Sequence, residues 1–211
     1  MRIISTPCQR GYRRISLFLL AGIAYAAVSG SDATIEFENP FVRVVRVHYN
    51  PHEKTDVHDH PPTPTVYIYV TDGGRLLIGH DGEDPVTRPP VKAGGIRFQK
   101  GVAERHAVEE LDGVESQYIR VELKTKPVDL PEVDVRRAPA DRTPYESGMI
   151  RILRVTCPAK STCPASAHPE SPAVVVTGKN FVWVPAGWPQ PKNPSDIPAE
   201  QVRVELKTPP S

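Results

Sequence analysis

The sequence predicts an all-β protein, a closed barrel unit followed by an abridged second copy of the same unit. Three observations carry this. Pro is abundant at 24 residues against 14 Gly, and aromatics make up only 7% of the chain. That balance suits many short strands joined by Pro-rich loops better than a helical bundle. Beyond the first thirty residues no stretch holds a 3.6-residue apolar period. The chain also repeats itself. Val42 to Val47 (VRVVRV) matches Ile150 to Val155 (IRILRV) at an offset of 108, which also carries His60-Pro61 onto His168-Pro169 and Val66 onto Val174. Arg120 to Thr125 (RVELKT) recurs unchanged as Arg203 to Thr208, at an offset of 83. Such identity marks a duplication, and the smaller second offset means that the second copy has lost about 25 residues from its middle.

Residues 1–30 read as a signal peptide. Arg2, Arg10, Arg13 and Arg14 give a cationic start, and Ile15 to Val28 form an uncharged, mainly apolar run of 14. A membrane-spanning helix needs about 20 apolar residues, so the run is short for an anchor and suits an export signal. Ala24-Tyr25-Ala26 offers a cleavage site, and Arg13-Arg14 is similar to a twin-arginine signal, departing from it at Ser16. A periplasmic or secreted protein is the expectation. Without the four leader arginines, 22 basic residues face 25 acidic ones, about −3 in net charge, and no basic patch suggests nucleic acid. Cys8 leaves with the leader; Cys157 and Cys163 remain, spaced to close a small loop by a disulfide in an oxidising compartment.

Strand signals follow in order. Phe41 to Tyr49 alternates and is β-branched. Thr65 to Thr71 is a short apolar run, and Asp72-Gly73-Gly74 leads into Arg75 to Gly79, which reads as a hairpin by its turn chemistry. Ile96 to Gln99 and Gln117 to Leu123 complete a first unit over residues 31–125. Residues 126–148, rich in Pro and charge, read as a surface linker, and residues 149–211 as the degenerate copy.

The strongest chemical signal is His58-x-His60 followed by His106. Residues two apart on a strand share a face, so both imidazoles of the pair can point into one barrel. A third imidazole from a facing strand gives a set suited to a divalent transition metal. Asp56 and Asp59 are candidates to orient an imidazole.

These residues carry a family resemblance. The stretch from Asn39 to Lys124 resembles the cupin superfamily: His58-x-His60, then Gly73 and Gly74 after a strand, match its first motif, and Gly101 and His106 match its second. The resemblance implies a double-stranded β-helix, hence a bicupin with a degenerate second repeat. It also implies His58, His60 and His106 as ligands for Fe, Zn or Mn. The departures are specific. His52 holds the opening Gly position, the Glu ligand position falls at Pro64 or Thr65, two extra residues separate Gly101 from His106, and Glu110 stands where Asn is usual. Cupins that hold metal through three His alone, among them thiol dioxygenases and a diketone-cleaving dioxygenase, are similar in this respect. Glu104, Glu109 and His52 are left as candidate replacement ligands, and Glu104 or Glu109 as candidate catalytic base. In the second copy Ser166 replaces the first His and Gln190 the last, which implies no metal there.

Other residues read as structural: His48 as solvent-facing, His80 as a hairpin residue, Trp183 and Trp188 as packing, and Glu122 and Glu205 as ion-pair members of the recurring RVELK strand. The expected partner is a small-molecule ligand or substrate, acted on by a dioxygenase or isomerase, or merely bound by a non-catalytic envelope module. Neither nucleic acid nor, after leader cleavage, a membrane is expected, and a homodimer is left open.

Overall fold

A computed structural model describes residues 32–125 and 145–210. The leader and most of the expected linker lie outside these residues. The first half contains β1 (Asp32–Glu38), β2 (Val42–Tyr49), β3 (His58–His60), β4 (Thr65–Tyr69), β5 (Leu76–His80), β6 (Val86–Arg88), β7 (Ile96–Gln99), β8 (Glu104–Glu110) and β9 (Ser116–Leu123). The second contains β10 (Tyr145–Glu146), β11 (Ile150–Cys157), β12 (Ala173–Thr177), β13 (Asn180–Val184) and β14 (Ala199–Leu206). The linker therefore ends earlier than the sequence suggested, since Tyr145–Glu146 already pairs with β11.

Three sheets form, ordered β1-β2-β9-β4-β7, β3-β8-β5-β6 and β10-β11-β14-β12-β13. The first and third are the same sheet built twice. β1, β2, β9, β4 and β7 correspond in order to β10, β11, β14, β12 and β13. Nothing among the described residues of the second half corresponds to the sheet β3-β8-β5-β6. A two-residue turn, Gly178-Lys179, joins β12 to β13 where the first half runs from β4 through β5 and β6 to β7. The missing residues inferred from the two offsets are this excursion.

The duplicated sheets pack face to face. Val44, Val66, Ile68, Ile119 and Val121 of the first meet Ile150, Ile152, Val174, Val202 and Val204 of the second in one core. The other face of the first sheet turns into the barrel, where Val45, Val47, Tyr49, Tyr69 and Tyr118 pack with Ile78 and Val108 of the opposing sheet. The first sheet is thus a central layer, buried on both sides. That is why β4 reads as a continuous apolar run and β2 buries both Val44 and Val45. The outer face of the third sheet is covered by loops. Cys157 and Cys163 are joined as a disulfide, and the buried Asn193 side chain donates to the carbonyls of Cys157, Pro158 and Ile197.

The expected hairpin between Thr65–Thr71 and Arg75–Gly79 does not form. β4 pairs with β7 and β9, whereas β5 pairs with β6 and β8. The turn at Asp72-Gly73-Gly74 carries the chain from one sheet into the opposite one. Gly74 has no room for a Cβ there, because the Glu110 carboxylate occupies the space.

Candidate metal centre

The opposing sheet places the histidines. Across β3, β8 and β5, His58, His106 and His80 lie in direct register, and His60 pairs with Glu104 in the next row. Counting by two along β8, Glu104, His106, Val108 and Glu110 face one side and Arg105, Ala107 and Glu109 the other. Val108 and Ile78 lie in the barrel core, so the imidazoles of His106 and His80 face inward with them.

His58, His60 and His106 form a nearly equilateral triangle, each pair of ring centres being 4.9 Å apart. One ligand atom from each lies within 4.8 Å of the others. Small side-chain rotations would bring all three onto one ion at bond lengths of about 2.1 Å. His80, read from sequence as a hairpin residue, ends β5, the strand that pairs with β6; it is 5.5 Å from His106 and with Glu104 and His106 makes a second such group.

Hydrogen bonding supports a ligand role for His58. His58 Nδ1 lies 2.9 Å from the Asp56 carbonyl; a carbonyl only accepts, so the ring proton sits on Nδ1 and Nε2 keeps its lone pair. Asp56 thus orients the imidazole through its backbone. The Asp59 side chain points away, paired with Arg105 at 2.8 Å. His106 is 7% exposed, and its Nδ1, 3.4 Å from Glu104 Oε2, makes no formed hydrogen bond, nor does His80 Nδ1. Buried polar atoms rarely stay unpartnered, and a bound cation would reorganise this cluster. Burial, with Arg120, His106 and His58 close by, pushes the His60 imidazole down to about 4, so His60 is neutral at neutral pH, as a ligand must be. The neighbouring His106 holds the Glu104 carboxyl below its usual value, and Gln99 donates to that carboxylate.

Beneath the triangle is a cavity of about 30 Å³ lined by Tyr49, Tyr67, Tyr69, Tyr118 and Arg120 as well as the histidines. That is room for about two waters. Burial raises Tyr49 to about 12 and Tyr118 well above the ordinary phenol value, so these groups stay protonated and can donate.

Two sequence candidates fall elsewhere. Glu109, three positions from His106, lies on the outward face of β8, where it pairs with Lys54 at 3.1 Å; it is neither ligand nor base of this site. His52 packs against Gly113 in a loop organised by Glu110, whose carboxylate accepts from the backbone N–H groups of His52, Asp112, Gly113 and Val114. In the second half Ser166 bonds to Glu205 and the half-buried His168 to Glu170. Glu122 and Glu205 both stand in ion pairs, with Arg120 at 3.0 Å and Arg151 at 2.9 Å.

No family model and no curated protein matches the chain. Solved structures do. A putative glyoxylate-induced protein from Pseudomonas aeruginosa is similar over 87% of this chain and 83% of its own, with a TM-score of 0.52 at 14% identity. AerE from Microcystis aeruginosa is similar over 85% of this chain and 99% of its own, with a TM-score of 0.48 at 13% identity. A cupin domain from Bordetella pertussis is similar over 47% and 99%, with a TM-score of 0.39 at 23% identity.

Proposed function

The chain has the cupin fold, and on that premise we propose that it is a metal-dependent protein acting on a small molecule. The site is a divalent transition metal, Fe, Zn or Mn, held by His58, His60 and His106. The carrying observation is the triangle of three inward imidazoles from two paired strands, each pair of ring centres 4.9 Å apart. A bound ion would supply Lewis-acid polarisation or, if iron, redox capacity, fitting a dioxygenase or isomerase. The chain's own groups do the rest. The Asp56 carbonyl fixes His58, and the apolar wall of Val47, Ile78 and Val108 excludes water. Glu104 faces the same cavity as an ionised carboxylate and is the acceptor for a proton leaving the ligand. The second half buttresses the barrel. The leader-like N-terminus and the disulfide support a periplasmic or secreted location.

The competing reading, a non-catalytic ligand-binding module of the envelope, is favoured by the small cavity and by Pro64 or Thr65 standing where a Glu ligand is usual. Melting curves with and without added metal, paired with oxygen uptake on small thiols and diketones, separate the readings. Metal at a hundredfold excess over its dissociation constant should add about 2.7 kcal/mol, and His58→Ala should remove the gain. Metal stabilisation without turnover on any substrate supports the binding module; no stabilisation at all refutes the metal centre.

A further inference from the structure

Arg120 does not belong to the three-His pattern, yet it reaches into it. It lies on the barrel-facing side of β9, in register with Val45 and Tyr67, and is 8% exposed. Glu122 lies 3.0 Å from its Nε, which leaves the far edge of the guanidinium toward the cavity. There Nη1 is 3.2 Å from His60 Nδ1.

Arginine only donates, so in this arrangement His60 Nδ1 must accept. That cannot persist with a metal on His60. If the ion takes Nε2, the ring proton moves to Nδ1 and faces the guanidinium, donor against donor. If the ion takes Nδ1, the lone pair is used. Either way Arg120 Nη1 loses its His60 acceptor in a nearly dry pocket, beside a new positive charge, while Nε keeps Glu122. A buried donor left without an acceptor is costly, more so when charged. Glu104 and Gln99 already bond to each other. The other groups on the wall include the phenols of Tyr49, Tyr67, Tyr69 and Tyr118, and burial keeps these protonated. Apart from neutral phenol oxygens, the acidic group lining the cavity is Glu104, already engaged by Gln99 and His106, so the guanidinium faces no uncommitted anion there.

We propose that Arg120 is the anion-binding residue of this site, and that the ligand brings a carboxylate or similarly small oxyanion to the guanidinium once metal is bound. This rests on the metal-centre reading and names the substrate class for it: a small carboxylate whose head group alone enters, since the cavity is about 30 Å³. Metal and anion then bind cooperatively, each raising the affinity for the other by the same factor.

The test uses acetate as probe, with acetamide as its uncharged counterpart of equal size. Zn(II)-loaded protein labelled with ¹⁵N-arginine is titrated with each, and the Arg120 side-chain resonances, assigned by their loss in Arg120→Lys, are followed. Acetate should shift them and acetamide should not. In parallel, Co(II)-loaded Arg120→Met should keep full metal occupancy and bind acetate roughly ten- to a hundredfold more weakly than wild type, the worth of a charge-assisted hydrogen bond. Resonances that ignore acetate, or unchanged acetate affinity in Arg120→Met, overturn the inference while the metal centre stands. A chain that takes up no metal removes the premise instead, and with it the inference. The NMR arm requires only wild-type protein and one conservative variant, so it decides the matter even if Arg120→Met does not fold.

Discussion

Replacing Glu110 by Gln isolates one buried group, with a cost that can be worked from its contacts. Glu110 is 1% exposed. Its Oε2 accepts from the backbone N–H groups of His52 at 3.0 Å, Gly113 at 2.7 Å and Val114 at 3.1 Å, and its Oε1 from Asp112 at 3.0 Å. Gln keeps the size but has one oxygen. Placed at the Oε2 position, that oxygen saves three bonds without their charge assistance, and the amide nitrogen then faces the Asp112 N–H, donor to donor. Three weakened bonds and one orphaned buried donor sum to about 3 kcal/mol. In a chain of this size that lowers the melting temperature by about 6–12 °C. Urea and thermal unfolding at neutral pH measure both. Burial raises the Glu110 carboxyl, but the four N–H groups outweigh it and hold it below its usual value of 4.5. Its contribution is therefore complete above that value and lost as pH falls below it, so wild type and variant should converge in acid. A loss under about 1 kcal/mol at neutral pH, or a gap that widens in acid, would refute the bonding described here.

Further outcomes follow from the layers and the site. Ile119→Ala and Ile150→Ala, in opposite sheets of one core, should each cost about 2–5 kcal/mol and leave a single unfolding transition; two separate transitions in calorimetry would mean that the halves do not share a core. His60 sits at about 4 in the folded protein against 6.5 when unperturbed. The unfolded chain therefore takes up a proton first, and stability should fall as pH drops from 6.5 to about 4 and then level off, a limb that denaturation of His60→Gln should lack. Reducing the Cys157–Cys163 disulfide, which spans a sequence separation of 6, should cost about 2 kcal/mol by loop entropy; an unchanged urea midpoint in dithiothreitol would contradict this.

The sequence disclosed the duplication and the inward histidines because both are local signals: a repeated string, and a two-residue spacing on a strand. The outward position of Glu109 was readable by the same count along β8 from His106. His80 was missed because Asp81-Gly82 marked it as a hairpin residue, although Leu76, Ile78 and His80 alternate onto one face. The β4–β5 hairpin failed for a different reason. Asp72-Gly73-Gly74 has the turn chemistry, but whether a turn reverses a strand within its sheet or hands it to the opposite sheet depends on long-range pairing with β7, β8 and β9. Nothing local to those residues records it. Arg120 illustrates the same limit, since its nearness to His60, sixty positions away, exists only after closure of the barrel.

The central claim, that three imidazoles hold one ion, is tested most directly by elemental analysis. Wild-type protein and His106→Ala, loaded in parallel with Fe(II), Zn(II) and Mn(II), would be freed of excess ion and analysed for metal per chain. Wild type should carry close to one equivalent of one of these metals, and a folded His106→Ala only a small fraction of that. Wild type that stays empty, or a variant that retains the full equivalent, would contradict it.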